Sequence, residues 1–146
     1  MTVIASFITF VLGLVGMVHI NWALGSSWPA KDELTLARAA VGTPNVRTMP
    51  MPGACVAAGT AILIAALLPQ MLIGGALAGF LPDGLVVAMT VFATAVFLLR
   101  GLAGYSTPWR KRFPEEPFAT FDRTYYSPLC LLIGAGFIVL LAGGLA

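Results

Sequence analysis

The basic residues of this chain occupy only two short parts of it. All eight Lys and Arg residues lie between Lys31 and Arg47 or between Arg100 and Arg123. The remainder is so apolar that the 146 residues are 59% hydrophobic and 10% charged. In ordinary soluble domains about a quarter of the residues are charged. This pattern excludes an ordinary soluble protein and indicates an integral membrane protein.

Four apolar stretches are long enough to cross a bilayer, because a transmembrane helix needs about 20 apolar residues. They cover residues 2–24, 51–70, 85–103 and 128–146. We therefore predict an all-α membrane protein, an antiparallel bundle of four transmembrane helices that forms a single integral-membrane domain over residues 1–146. The loops 25–50 and 104–127 then lie on one face. The first stretch lacks the positively charged start of a signal peptide, so we expect a retained helix.

Prolines predict where two of these helices begin and where one of them is interrupted. Pro52 suits the first turn of the second helix, where the missing N–H group has no partner in any case. Ser127 and Pro128 suit the N-cap and the first position of the fourth helix. Pro69 interrupts the apolar run that starts at Met51, so we expect the second helix to kink or end there.

The positions of the charges also predict an orientation. With four crossings the two basic loops fall on the same side, and the positive-inside rule makes that side cytoplasmic. The turn between the second and third helices carries only one charged residue, Asp83. We expect a multi-pass protein of the cell inner membrane with both termini outside. Its expected partners are the lipid bilayer and a larger membrane protein complex, with no nucleic acid.

Six polar or aromatic residues fall near the helix ends on the side of the basic loops. Because neighbouring helices are antiparallel, we predict that these side chains lie at a similar depth and form one polar layer, which is either ligand-binding or structural. Ionisable residues inside a membrane are costly and default to a functional role, whereas aromatic residues at this depth also serve as interfacial anchors. The members are His19, Trp22, Arg100, Asp122, Tyr125 and Tyr126.

The most specific expectation within this layer is an ion pair between Arg100 and Asp122. The loop after the third helix must fold back to form it. Three prolines in that loop prevent a continuous helix, and three phenylalanines supply apolar contacts with the bundle. Cys55 and Cys130 are expected to be free thiols, because the predicted orientation places both near a reducing compartment.

Common catalytic motifs are missing from the sequence. There is no Gly-rich phosphate loop, Cys-x-x-Cys, Gly-x-Ser-x-Gly or His-Glu-x-x-His, so the commoner nucleophilic and zinc chemistries have no local signature. The single histidine excludes haem ligation by two imidazoles of one chain. We predict no metal site, and the sequence assigns neither a cofactor nor an enzymatic activity.

Three segments together resemble a family of bacterial integral membrane proteins, the domain of unknown function 3995. The resemblance covers nearly the whole chain and implies a compact four-helix membrane protein in which the motif positions matter, with no assigned activity. The segments are His19-x-x-Trp22-Ala23-x-Gly25-x-x-Trp28, Phe97-Leu98-Leu99-Arg100 and Phe121-Asp122-x-x-Tyr125-Tyr126-Ser127-Pro128-Leu129-Cys130.

Three classes of function remain compatible with the sequence. The leading prediction is an accessory or structural subunit of a larger membrane assembly, which agrees with the small size, the glycine-rich helices and the lack of a catalytic signature. The alternative is a binding protein or enzyme for a lipid-soluble small molecule, acting through a polar pocket near one membrane face. An oligomeric small transporter is the weaker alternative, because transport usually needs an acidic residue near the middle of the bilayer.

Overall fold

The protein consists of helices joined by turns. The computed structural model describes residues 1–75 and 77–144, and no strand occurs in them. In chain order the elements are α1 (Thr2–Ala23), α2 (Glu33–Ala40), α3 (Pro52–Leu72), α4 (Asp83–Ala103), α5 (Thr107–Arg112), α6 (Phe118–Phe121), a π-helical turn (Asp122–Tyr126) and α7 (Ser127–Gly144).

Four of these segments are long and apolar enough to span a membrane. They are α1, α3, α4 and the continuous segment Phe118–Gly143, which joins α6, the π-helical turn and α7. A helix of 21 residues rises about 32 Å, which matches a hydrocarbon core of about 30 Å. The predicted antiparallel four-helix membrane fold is therefore confirmed. The predicted end of the fourth helix, at residue 146, lies outside the described residues.

The start of the fourth span differs from the prediction. Helical structure begins at Phe118 rather than at Pro128, and Ser127 is a fully buried helical residue instead of an N-cap. A proline inside an α-helix clashes with the carbonyl group of the preceding turn. Here the wider π-helical turn, which ends at Tyr126, two residues before Pro128, accommodates the ring. The N-cap prediction was wrong because the sequence does not reveal this turn.

The other helix ends lie close to their predicted positions. As predicted, α3 begins at Pro52, but it continues through Pro69 to Leu72, so Pro69 does not end it. Helix α4 starts at Asp83, two residues before the predicted position, with an acidic side chain in its first turn. That charge is favourable there, because a helix carries partial positive charge at its N-terminus.

The four spans form two antiparallel hairpins. Helix α1 packs along α3, and α4 packs along α7, more extensively than any other pair of elements. In the first hairpin the backbones touch at two glycines: a Cβ atom added to Gly59 would lie 3.1 Å from the carbonyl oxygen of Gly16. Small residues allow this close approach, which drives helix association in lipid. The hairpins meet at a core of buried side chains from all four spans, including Ile8, Leu12, Ile133 and Phe137.

The two long connections pack against each other at one end of the bundle. We refer to residues 25–50 and 104–121 as the loop cap. Arg38 and Glu115 form an ion pair with an N–O distance of 2.9 Å, and the backbone amide of Glu115 donates to the carbonyl group of Gly42. The Phe118 ring is buried directly against Gly42. These contacts hold the loop that follows α4 close to the helix ends.

Candidate functional site

A buried carboxylate lies where the loop cap meets the helices. The side chain of Asp122, the first residue of the π-helical turn, is only 4% exposed, and Arg100 Nη2 lies 2.5 Å from its Oδ1 atom. The predicted ion pair is thus confirmed. It connects the end of α4 to the start of the fourth span.

Two further side chains donate hydrogen bonds to Asp122. The Ser127 hydroxyl lies 3.3 Å from Oδ1, and the indole Nε1 of Trp109 donates to Oδ2 at 3.0 Å. Arg100 also donates to Ser127 at 3.4 Å, and its guanidinium carbon lies 4.5 Å from the centre of the Trp109 ring. We call these four residues the Asp122 cluster. Both carboxylate oxygens of Asp122 therefore accept hydrogen bonds from side chains of the same chain.

Sequence reasoning identified only half of this cluster. Trp109 is not among the six residues that the sequence predicts for the polar layer, and Ser127 is predicted only as a helix cap. Residues five apart do not share a face of an α-helix, so the regular helical period gives no reason to pair Asp122 with Ser127. A π-helical turn, with its i to i+5 spacing, brings them together. The one available signal for Trp109 was its place in the loop predicted to fold back.

The cluster requires a glycine beside it. A Cβ atom on Gly104, which directly follows α4, would overlap the Ser127 hydroxyl and approach Asp122 Oδ2 to 2.8 Å. Gly104 is itself buried. The backbone at the end of α4 can therefore approach the carboxylate only because residue 104 has no side chain.

The other predicted site residues lie in separate contacts. His19 Nδ1 is 2.8 Å from the carbonyl oxygen of Val15, and its ring centre is 4.8 Å from that of Trp22. Within the described residues, no hydrogen bond connects His19 or Trp22 to the Asp122 cluster. Whether these residues act together with Arg100 and Asp122 stays a prediction.

The two tyrosines of the π-helical turn point to different surroundings. The Tyr126 hydroxyl donates to the carbonyl group of Ala39, at the end of α2, at 3.1 Å. Tyr125 is 61% exposed, and its ring centre is 6.0 Å from that of Phe121. Tyr126 therefore connects the fourth span to the first loop, whereas Tyr125 suits an interfacial anchor.

Comparison with known proteins gives a family match, which covers most of the helices described above. Residues 12–137 match the family described as Protein of unknown function (DUF3995). The chain belongs to this family. No curated protein and no solved structure matches it. The match confirms the resemblance seen in the three sequence segments, and it includes all six predicted site residues and the whole Asp122 cluster of this DUF3995 protein.

A cavity of about 360 Å³ opens beside the cluster in this DUF3995 chain. Trp109 and Asp122 form part of its wall, and three basic residues, Arg110, Lys111 and Arg123, also line it. Glu116 is the second acidic residue of the lining. The cavity therefore places cationic side chains next to a carboxylate that is already paired.

Among the described residues, neither cysteine forms a hydrogen bond with the Asp122 cluster. Cys55 and Cys130 are both free thiols, as predicted from the sequence. Across residues 1–75 and 77–144, no group of three or more His, Cys, Asp and Glu side chains is arranged to hold a metal ion.

Proposed function

We propose that the protein is an accessory or structural subunit of a larger membrane assembly, held there by a groove between α3 and α4. The observation that carries this proposal is the groove itself. It has a volume of about 490 Å³ and an almost entirely apolar lining, which includes four alanines: Ala61, Ala65, Ala88 and Ala93. We propose that its occupant is a transmembrane helix of the partner.

The packing of the bundle supports a helix as the occupant. Helices α3 and α4 contact each other much less than the helices within each hairpin do, and the groove lies between them. Helix association in lipid depends on close packing over small residues. Alanines at this position let a third backbone approach, and the exposed Phe92 and Ile64 side chains lie beside it.

The Asp122 cluster also agrees with a structural role. Its carboxylate accepts hydrogen bonds from Arg100 of α4, Trp109 of α5 and Ser127 of α7. An ion pair whose carboxylate is buried and accepts further hydrogen bonds holds elements in a defined arrangement. The cluster would thus keep the loop cap folded on the helix ends.

Photo-crosslinking in native membranes tests the accessory role. A photoreactive amino acid at Ala61 in the groove should crosslink to the transmembrane segment of one partner, and Ala61→Leu together with Ala88→Leu should remove that partner from particles extracted without detergent. Ala57→Leu is the matched control, because Ala57 is an exposed alanine on α3 outside the groove. If Ala61 crosslinks only to lipid and the particles contain a single chain, the proposal is wrong.

The proposed location is the cell inner membrane, with both termini outside and the loop cap in the cytoplasm. The two connections that carry most of the basic residues contact each other, which agrees with a single cytoplasmic face under the positive-inside rule. A cysteine placed at Asp83, in a variant without other cysteines, should react with a membrane-impermeant thiol reagent in intact cells. Labelling only after permeabilisation would show that the protein has the opposite orientation.

The second candidate function is binding of an amphipathic small molecule at the loop cap. The cavity beside Trp109 and Asp122 favours it, because its volume of about 360 Å³ falls within the range of small-ligand sites. A molecule that stays bound through purification, with ordered density in this cavity, is the expected result. An empty cavity in particles prepared without detergent would argue against it.

A further inference from the structure

We propose that the cavity beside the Asp122 cluster binds the phosphate group of an anionic phospholipid. The proposal names the ligand of the second candidate function and rests on it, but it does not depend on a partner in the groove between α3 and α4. The chemistry it assigns to the site is recognition of a phosphate by cationic side chains next to an apolar wall.

The first argument is the placement of the cations. Arg110 and Lys111 come from α5, and Arg123 comes from the π-helical turn, so two different elements direct positive charge towards one cavity. Within the described residues, none of the three forms a salt bridge; the ion pairs there are Arg38 with Glu115 and Arg100 with Asp122.

The second argument is that the acidic residues of the lining do not cancel this charge. Asp122 is paired with Arg100 and accepts two more hydrogen bonds, so its negative charge is already compensated. Glu116 Oε2 accepts a hydrogen bond from the backbone amide of Thr120 at 3.2 Å. The cavity therefore carries an excess of positive charge, which suits an anion.

The third argument is the position of the cavity relative to the membrane. It is lined by Gly104, directly after the end of the third span, and by Trp109. Tryptophan is enriched at the depth of lipid headgroups, and basic clusters next to a transmembrane helix attract anionic lipids. A phosphate at this depth belongs to a lipid more readily than to a soluble metabolite.

The fourth argument is the size and composition of the cavity. Its volume of about 360 Å³ lies towards the lower end of ligand pockets, which is enough for a headgroup but not for a whole lipid. Phe113, Pro114 and Ala119 supply apolar wall, and Thr107 supplies a hydroxyl group. A phosphate and its glycerol fit this mixture, while the acyl chains remain in the bilayer.

Lipid titration of the purified full chain, followed by native mass spectrometry, tests the proposal. Phosphatidylglycerol and phosphatidylcholine are the probes. We expect phosphatidylglycerol to bind about tenfold more tightly, because its headgroup has a net negative charge, whereas the choline cation of phosphatidylcholine offsets the phosphate and is repelled by the basic side chains. Equal binding of the two lipids would overturn the proposal.

Two double variants with the same loss of charge separate a site from general attraction. Arg110→Gln with Arg123→Gln changes the cavity, whereas Arg47→Gln with Arg112→Gln removes two charges outside its lining. Both variants lose the diffuse attraction of basic residues to anionic lipid. Only the cavity variant should lose about a further tenfold in affinity for phosphatidylglycerol. If both variants weaken equally, there is no specific site.

Two more arms complete the test. Glycerol 1-phosphate and inorganic phosphate are added as competitors, and displacement of the lipid at equal concentration would show a soluble phosphate ligand instead. If the cavity double variant does not fold, Lys111→Gln is compared with Arg112→Gln, because only Lys111 lines the cavity. A larger loss of affinity for phosphatidylglycerol in Lys111→Gln supports the site, and equal losses overturn it. The groove variant Ala61→Leu should bind phosphatidylglycerol normally, so failure of the lipid site and failure of the accessory role are distinguishable.

Discussion

Breaking the ion pair between Arg100 and Asp122 should strongly destabilise the protein. Arg100→Met leaves the Asp122 carboxylate, 4% exposed, with only Ser127 and Trp109 as donors. Asp122→Asn keeps an acceptor for Trp109 but leaves the guanidinium without its counter-charge. In each case one charged or polar partner remains at a membrane boundary without the group that compensated it.

The magnitudes follow from the burial of each partner. Removing one member of a buried ion pair costs about 3 to 5 kcal/mol, and we expect about 3 kcal/mol for Arg100→Met. Asp122→Asn should cost less, about 2 kcal/mol, which is typical of a hydrogen bond to a charged group. The reason is that the Arg100 side chain is 28% exposed and can extend towards water, as long basic side chains near helix ends do.

The double variant measures the coupling between the two side chains. Because neither charge is left unpaired, Arg100→Met combined with Asp122→Asn should cost about 2 kcal/mol less than the two single losses taken together. The free energy of unfolding is measured by titration with dodecyl sulfate in mixed micelles. Arg112→Met is the control, since Arg112 is an exposed arginine outside the cluster, and it should change stability little. Strict additivity of the two losses would refute the pairing.

Three further predictions concern the same end of the molecule. Gly104→Ala should destabilise the protein by about 1 to 3 kcal/mol because its methyl group overlaps the Asp122 cluster, whereas Gly13→Ala, with no neighbouring atom within 4 Å, should be neutral or stabilising in the same unfolding titration. Tyr126→Phe removes the hydrogen bond to α2 and should cost about 1 kcal/mol; hydrogen exchange of the α2 amides should accelerate, and unchanged exchange would contradict this connection. The pKa of Asp32 lies below its ordinary 3.8 because a backbone amide in the first turn of α2 donates to its carboxylate. The ionised Asp32 side chain therefore stabilises α2 fully above pH 3.8, and this stabilisation is lost as the pH falls through the lowered pKa. Hydrogen exchange of the α2 amides should report this loss in the native chain but not in Asp32→Asn.

The sequence was sufficient to predict the pair of Arg100 and Asp122, because that prediction needs only the charge of each residue and its expected depth in the membrane. Arg100 is the one basic residue inside the third predicted span, and Asp122 is the acidic residue nearest to the start of the fourth predicted span. A charge at a membrane boundary needs a partner, so few alternatives remained. Trp109 could not be assigned in this way, because an interfacial tryptophan has an ordinary role as an anchor and nothing local to α5 indicates a buried carboxylate beside it.

The sequence alone determined that there are four spans and that the two basic connections lie at the same end of the bundle. Hydropathy is summed over contiguous residues, so it needs no knowledge of which helices touch. The tertiary structure alone decided the π-helical turn that pairs Asp122 with Ser127, the approach of Gly104 to that pair, and the gap between α3 and α4. Each of these depends on how distant backbones pack against one another, and packing is a property of pairs of segments that no single stretch of sequence contains.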